Sequence, residues 1–255
     1  MKKTKSILFT IVFIGLVSFL NAQALTAKSI IQKSNDLLLG ESSFSEMTMT
    51  ITRPEWTRTI SMQSWSLGED FYMIYITVPV RDKGQVFLKR EQDMWNWMPS
   101  INRVIKIPPS MMMQSWMGSD FSNNDLVKQN SIIVDYTHRI LGSEIIDGRD
   151  CYKIELLPLD DAAVVWGKII MWISKDEFFQ LKSEFYDDYM ELVNIATSTE
   201  VKNMGDRNLP SVFKIYPANK EGNITELRIN HQVFNIKEVN ESFFSQQNMK
   251  NIRAK

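Results

Sequence analysis

The stretch Glu46-Met47-Thr48-Met49-Thr50-Ile51-Thr52 alternates polar and apolar side chains with a period of two. Successive residues of a β-strand point to opposite faces, so this pattern predicts a strand with one apolar face. Further strand candidates follow along most of the chain, residues 131–141 among them, separated by turn signals such as Asp82-Lys83-Gly84 and Glu221-Gly222-Asn223. Because short turns join antiparallel neighbours, the sequence predicts a mainly β (α+β) protein with about eleven strands in one large curved antiparallel sheet.

Two segments depart from this plain alternation. Residues 26–39 repeat apolar side chains at helical spacing, with Thr26 as a capping residue and Gly40 as a stop, so they predict one long N-terminal helix. In residues 57–67 the apolar parity changes near Ser64. A change of parity within a strand predicts a β-bulge, which would bend the sheet.

The first 24 residues have the pattern of an export signal. Three lysines precede an uncharged apolar run from Ile7 to Leu20, and Ala22-Gln23-Ala24 offers a small-x-small cleavage site. The apolar run is shorter than the roughly 18 residues that a membrane-spanning helix needs. We therefore expect residues 1–24 to be a cleaved signal peptide of an exported protein, rather than a retained N-terminal anchor, and residues 25–255 to form a single domain.

Composition and motifs argue against several function classes. The chain carries 29 Lys and Arg against 30 Asp and Glu, without a basic cluster, so nucleic acid is not an expected partner. Cys151 is the only cysteine, and His138 and His231 have no acid or cysteine at metal-ligand spacing. Because no catalytic or cofactor motif occurs either, the sequence predicts no metal site, no cofactor and no enzyme activity.

Residues 94–117 are unlike the rest of the chain, since they hold six methionines and three tryptophans. After Pro108-Pro109-Ser110 the pattern predicts about two turns of helix with its methionines on one side, and the capping-box spacing of Ser122 and Asp125 predicts a second short helix over residues 123–127. Methionine is flexible and polarizable, which suits a surface that accepts acyl chains. These helices would then form a lid, although ordinary core packing also accounts for such a cluster.

Three stretches of this sequence resemble the outer-membrane lipoprotein-sorting (LolA-like) family of bacterial periplasmic proteins. They are Gly84-Gln85-Val86-Phe87-Leu88, Met94-Trp95-Asn96-Trp97-Met98-Pro99 and Met117-Gly118-Ser119-Asp120-Phe121-Ser122-Asn123-Asn124-Asp125-Leu126. The resemblance implies a half-open β-barrel with a helical lid, whose apolar cavity shields acyl chains of a lipoprotein or another lipid. It also implies a periplasmic location for the mature protein, with an inner-membrane exporter as donor and an outer-membrane acceptor as partners.

One feature departs from that family pattern. The proteobacterial carriers have an arginine ahead of an aromatic residue in an early strand, and this arginine holds the lid shut. By order of elements this chain has Leu67-Gly68-Glu69-Asp70-Phe71 at that place, without an arginine. The sequence therefore leaves open how the lid is held, and whether the cargo is a lipoprotein or another envelope lipid.

We accordingly expect a soluble carrier that binds acyl chains. The expected lipid-binding residues are Met112, Met113, Trp116 and Met117 in the lid, Trp95 and Trp97 at the mouth, and Met47, Met49 and Trp172 within the sheet. The alternative is an accessory interaction subunit of an envelope lipid exporter, which would have a filled core. A hydrolase acting on envelope lipids is the third possibility, although the sequence shows no nucleophile, base or metal set for it.

Overall fold

The fold is built on one antiparallel sheet of thirteen strands, as seen in a computed structural model that describes residues 25–127 and 131–254. The expected signal peptide lies outside the described residues. The strands are β1 Ser42–Arg53, β2 Trp56–Leu67, β3 Phe71–Val78, β4 Val86–Arg90, β5 Asp93–Met98, β6 Arg103–Lys106, β7 Tyr136–Ile146, β8 Arg149–Pro158, β9 Lys168–Ser174, β10 Gln180–Tyr186, β11 Leu192–Met204, β12 Arg207–Pro217 and β13 Ile224–Phe234.

The sheet is a half-open β-barrel, as the family resemblance implied, with two more strands than the expected eleven. Its spatial order is β6-β5-β4-β3-β2-β1-β13-β12-β11-β10-β9-β8-β7. Pairing of β1 with β13 joins the two halves of the chain. Strands β6 and β7 form the two ends of this order and are not paired with each other, so the sheet curves without closing. Its inner face is consequently left to be covered by other elements.

The N-terminal helix α1, Ala27–Leu39, covers part of that inner face. Its prediction is confirmed: Thr26 caps the start through a bond from the Ser29 backbone N–H, 3.1 Å long, and Gly40 follows its end. Ile30 and Ile31 are fully buried in a cluster with Met171 of β9. The side of β9 that carries Met171 is therefore the inner side.

The segment between β6 and β7, residues 107–135, forms the lid over the inner face. Its described part contains two single 3-10 turns, Pro109–Met111 and Trp116–Gly118, and two short helices, α2 Asn123–Val127 and α3 Ser131–Val134. The capping-box prediction for α2 is confirmed, because Ser122 and Asp125 exchange hydrogen bonds.

Two local predictions in this segment are wrong. Residues 110–117 are not a continuous helix. The backbone N–H of Trp116 donates to the Phe121 carbonyl at 2.7 Å, and Met117 takes a positive φ of 53°. Together these features turn the chain back on itself. Residues 131–134, which were predicted to begin a strand, form α3, and β7 starts only at Tyr136.

The parity change near Ser64 has a different cause from the bulge that was predicted, although the pairing of β2 with β3 does shift register nearby, between Ser61 and Met62. The register between β1 and β2 runs unbroken through Ser64, so Trp65 simply faces the outer side while Met62 faces the inner side. The C-terminal residues 235–252, with helix α4 Gln246–Asn251, cover Trp65 there. Phe44 and Phe243 pack on its ring at centroid distances of 5.3 and 5.8 Å. This half of the sheet therefore has apolar contacts on both faces.

Within residues 25–127 and 131–254, no helix combines the length and the hydrophobicity that crossing a bilayer requires.

Candidate functional site

Strands β1 and β2 form the floor of the candidate site, and their register places residues of like polarity side by side. Met47 pairs with Met62, and Met49 pairs with Ile60, all of them buried. Further along the same face four serines are paired with each other, and we call them the serine patch. They are Ser43 with Ser66 and Ser45 with Ser64. The floor is thus apolar at one end and hydroxylated at the other.

A cavity of about 300 Å³ lies over this floor, and we call it the floor cavity. The residues that line it are Leu38, Leu39, Ser43, Ser45, Met47, Met49, Met62, Ser64, Ser66, Tyr72, Ile74, Trp116, Phe121, Asp125, Leu126, Phe213, Leu227, Ile229 and Gln232. Asp125 is the only one of them with a side chain that is ordinarily charged at neutral pH. The cavity therefore has an apolar interior with polar groups concentrated at the serine patch.

Two further cavities adjoin the floor cavity beneath the lid, since each shares lining residues with it. One of about 330 Å³ lies between α1, the lid and β9, and one of about 230 Å³ lies over β10 to β12. Phe121 and Asp125 line all three cavities. The inner face therefore holds three neighbouring cavities that share these two lid residues, and such an arrangement suits a molecule with more than one chain.

Trp116 is the main roof residue of the floor cavity. It is only 3% exposed, and its ring meets the edge of Phe87 at a centroid distance of 5.4 Å and an interplanar angle of 74°. Edge-to-face contacts of this kind stabilise one orientation of both rings. The roof is thus anchored on β4, next to the strands that form the floor.

An ion pair fastens the lid to the end of β1. The guanidinium of Arg53 binds both carboxylate oxygens of Asp120, each at 3.1 Å, and donates to the Gly118 carbonyl at 3.2 Å. Both side chains are nearly buried, with 13% and 11% exposed. A two-pronged arginine–carboxylate pair is geometrically specific as well as strong. We call this pair the latch.

Two neighbouring contacts reinforce the latch. The Thr225 hydroxyl of β13 donates to Asp120 at 2.6 Å, and the Asp120 N–H donates back to the same hydroxyl at 3.0 Å. Arg58 of β2 donates to the Met117 carbonyl at 3.2 Å and binds Asp82 at 2.6 Å. Three strands therefore hold residues 117–120 of the lid.

The latch is at a different place from the family arginine. The stretch from Leu67 to Phe71, where an arginine was expected and is missing, lies at the turn between β2 and β3. Arg53 and Arg58 instead flank the turn at the opposite end of β2. The sequence motif from Met117 to Ser122 is thus the part of the lid that these arginines hold.

Asp125 brings an ionisable group to the lining that the three cavities share. Burial raises the pKa of its carboxyl group, although hydrogen bonds from the Ser122 N–H and hydroxyl, each 2.8 Å, act in the opposite direction. A carboxyl whose pKa is raised by folding stabilises the protein below its unfolded value, about 3.8, and loses that contribution as the pH rises through the raised value.

We predict that Asp125→Asn weakens the pH dependence of stability in this range. The amide still accepts the Ser122 N–H bond but carries no charge to bury, so unfolding near neutral pH should require more free energy than in the unmodified protein. Thermal unfolding at several pH values from acid to neutral measures this. If the midpoint of thermal unfolding changes with pH equally in the two proteins, Asp125 does not titrate in the way that its burial indicates.

Three of the residues expected at the site line the floor cavity together. Met47 and Met49 lie in its floor, and Trp116 lies in its roof. Met112 and Met117 are half-buried and pack against the same apolar cluster without lining the cavity. Met113 is 55% exposed and, together with Met112, lines a separate groove beside Pro108 and Val164. These three lid methionines therefore lie near the floor cavity without lining it.

Trp95 and Trp97 are not at the mouth of the cavity. Both belong to the outer-face cluster beneath the C-terminal residues, and Lys250 of α4 lies 5.7 Å from the Trp97 ring centre. Their neighbour Met94 faces the inner cluster instead. Since residues of a strand alternate between faces, the Trp-x-Trp spacing places both tryptophans on the same, outer side.

Trp172 also faces away from the floor cavity. It follows Met171, which faces α1, so it lies on the outer side of β9. Its indole N–H donates to Glu144 at 3.0 Å, and the ammonium groups of Lys153 and Lys182 lie 5.0 and 4.4 Å from its ring. These contacts account for the burial of Trp172 without a ligand.

Sequence reasoning missed most of the polar residues of the site. Arg53 and Asp120 are 67 positions apart, so spacing gave no sign of the latch. Asp125 was assigned only to capping, a role that it does have. The repeated Ser-x-Ser pairs, at positions 43 and 45 and at positions 64 and 66, were a usable signal, because their parity continues that of Met47 and Met62.

Among the described residues, no group of three or more His, Cys, Asp and Glu side chains lies close enough together to hold a metal ion. His138 lies against the Ile132 carbonyl, with 2.7 Å between Nε2 and the oxygen.

A protein-family model described as an uncharacterized protein matches residues 68–251. A comparison with curated proteins gives no match. Solved structures share the fold: a DUF1329 family protein from Desulfovibrio piger has a TM-score of 0.79 at 22% identity, with 88% of this chain and 97% of that one covered.

Two further solved structures are similar over the same extent. A domain assigned to outer-membrane lipoprotein sorting, from Vibrio parahaemolyticus, has a TM-score of 0.77 at 24% identity and covers 88% of this chain and 98% of its own. A LolA superfamily protein from Nitrosomonas europaea has a TM-score of 0.74 at 24% identity, with coverage of 88% and 99%. At these identities the likeness establishes a common fold.

Proposed function

We propose that this chain, a member of the family whose model matches residues 68–251, is a periplasmic carrier, because it shares its fold with a LolA superfamily protein and with a lipoprotein-sorting domain. It binds the acyl chains of lipoproteins or other envelope lipids in the neighbouring cavities under its lid. It receives this cargo from an inner-membrane exporter and releases it to an outer-membrane acceptor. No chemical step is part of this role, and no metal or cofactor is needed for it.

The observation that carries the proposal is the floor cavity itself. Met47, Met49 and Met62 line it from below, and Trp116 lines it from above. Side chains of this kind adapt to chains of differing length, because methionine has three flexible bonds and a polarizable sulfur. Protein cores contain few cavities larger than a water molecule, so an apolar cavity between the floor and the latched lid indicates a ligand-binding site.

The energetics of chain burial are sufficient for tight binding. Each buried CH₂ group contributes about 0.8 kcal/mol, so a chain of roughly sixteen carbons gains on the order of 10 kcal/mol before the cost of ordering it. Polar contacts therefore need to supply specificity more than affinity.

The alternative expectation was an accessory subunit with a filled core. The three cavities that share Phe121 and Asp125 speak against a filled interior. We therefore favour the carrier over the accessory subunit.

Uptake of a lipopeptide tests the carrier function. Delipidated protein should bind a fluorescent diacylated lipopeptide saturably, with energy transfer from tryptophan to the probe. Transfer should decrease in Trp116→Phe, whose ring is nearest the proposed chain, and should change little in Trp56→Phe, which is exposed. Absence of saturable binding by folded, delipidated protein would refute the proposal.

A further inference from the structure

The floor cavity contains two buried polar atoms without a hydrogen-bond partner among the described residues. They are Nε1 of Trp116, a donor, and the side-chain oxygen of Gln232, an acceptor. Trp116 is 3% exposed and Gln232 is 4% exposed. Buried polar groups in folded proteins are nearly always paired, because leaving one unpaired is costly. Two such atoms with opposite needs in one cavity point to a ligand that offers both an acceptor and a donor.

The orientation of Gln232 is set by its surroundings. Its amide nitrogen donates to the Leu38 carbonyl at the C-terminal end of α1, 3.4 Å away. An amide oxygen cannot bond to a carbonyl oxygen, so this contact assigns the nitrogen and leaves the oxygen as the unpaired atom. Gln232 pairs with Ser45 across the β1–β13 ladder, which places its side chain beside the serine patch.

Three of the four hydroxyls of the serine patch already have partners. The hydroxyls of Ser43 and Ser66 lie 2.7 Å apart, and the Tyr72 hydroxyl bonds to Ser64. These groups make the end of the cavity polar without adding charge. The side-chain oxygen of Gln232 is then a buried acceptor at this end that has no partner among the described residues and is available to a ligand.

The charge of the cavity also limits the ligand. Its lining includes no lysine or arginine, and its only acidic side chain, Asp125, would repel an anion when ionised. Lys89 lies on the neighbouring strand, but it does not line the cavity, its ammonium donates to the Glu69 carbonyl, and its charge interacts with the carboxylates of Asp70 and Glu69. A carboxylate or phosphate buried here would therefore have no countercharge in the cavity lining, which disfavours it.

We infer that the floor cavity selects a neutral acyl lipid whose amide or hydroxyl-bearing head lies between Trp116 and Gln232. In this arrangement the indole N–H donates to the carbonyl of the acyl group, and an N–H or O–H of the ligand donates to the Gln232 oxygen. The chain extends from the serine patch over Met47 and Met49. This inference rests on the proposed carrier function and adds the chemical class of its cargo.

A matched ligand series tests the inference separately from the carrier function. The ligands are a primary fatty amide, a fatty-acid methyl ester and a free fatty acid of one chain length, with binding measured by displacement of the fluorescent lipopeptide at neutral pH. The amide should bind about tenfold more tightly than the ester, which has no donor for Gln232. The free acid should bind more weakly than the amide.

Gln232→Leu should reduce amide affinity to that of the ester and leave ester affinity nearly unchanged. Ser45→Ala keeps Gln232 and should preserve most of the preference for the amide over the ester. It therefore shows whether a loss of preference comes from a change of folding at this end of the cavity. Gln63→Leu is the matched control, because Gln63 is equally buried on the outer face, beside Glu46. Gln63→Leu should retain the full preference for the amide over the ester.

The outcomes separate the two proposals. If the amide and the ester bind equally to the unmodified protein, as expected when water satisfies both atoms, the head-group inference is wrong and the carrier function stands. A preference that survives Gln232→Leu in folded protein also overturns it. If none of the ligands displaces the probe because the probe does not bind, both proposals fail.

Discussion

Replacing Arg53 with methionine is expected to raise the rate of hydrogen exchange in residues 115–121 by about a hundredfold. The substitution removes both bonds to the Asp120 carboxylate and the bond to the Gly118 carbonyl, and it leaves a nearly buried carboxylate without its cation. Removing one partner of such a pair costs about 3 kcal/mol or more, and 1.4 kcal/mol corresponds to a factor of ten. The fraction of molecules with an open lid should increase by the same factor, about a hundredfold.

Arg139→Met is the matched control for this experiment. Arg139 also binds one carboxylate, that of Glu155, but its side chain is 70% exposed, and exposed pairs contribute at most about 1 kcal/mol. The rate of hydrogen exchange in residues 115–121 of Arg139→Met should equal that of the unmodified protein. The lipopeptide should also dissociate faster from Arg53→Met than from Arg139→Met. Unchanged exchange in Arg53→Met would mean that the ion pair does not hold the lid.

Leu227→Trp is expected to weaken acyl-chain binding by about a hundredfold. Leu227 of β13 pairs with Met49 and lines the floor cavity, so a larger ring there occupies the space of the chain. Excluding about four CH₂ groups removes about 3 kcal/mol of burial, which corresponds to that factor. A binding titration with the fluorescent lipopeptide measures the change.

The control for cavity blocking is on the other face of the same strand. His231 is exposed and pairs with Glu46 rather than with a floor residue, so His231→Trp adds the same ring outside the cavity. Its affinity for the lipopeptide should be unchanged. If Leu227→Trp folds normally and binds as tightly as His231→Trp, the acyl chain does not occupy the floor cavity.

The strand pattern carried much information about the fold, because side-chain alternation is a local property. The helix after Thr26 and the capping box at Ser122 could also be predicted, because their signals lie within a few residues of each other in the sequence. Alternation does not say which face is inner, however. Trp95, Trp97 and Trp172 were expected near the ligand, but the structure places them on the outer face, where the C-terminal residues or lysine side chains cover them.

The lid was less predictable than the strands. Its methionines have helical spacing, but the bond from Trp116 to Phe121 and the positive φ of Met117 replace a helix with a tight loop. Such a loop is stable here because Arg53 and Thr225 bind it from strands that are distant in sequence. A sequence pattern limited to neighbouring residues cannot show contacts of that range.

The polar end of the cavity shows the same limit. The serines at positions 43, 45, 64 and 66 could be seen as continuing the inner parity, yet their meaning depends on cross-strand register. Register brings them together and places Gln232 beside Ser45. Only then does a polar head group at one end of an apolar cavity become a specific hypothesis.

Native mass spectrometry of the protein purified from the periplasm of the cells that make it tests the central claim most directly. We predict that the folded protein carries the additional mass of a bound acyl lipid, and that this mass is released on denaturation and can be identified by lipid extraction. Leu227→Trp purified in the same way should lack it, and His231→Trp should retain it. Folded protein that has only the mass of its polypeptide, with no acyl lipid in the extract, would contradict the account.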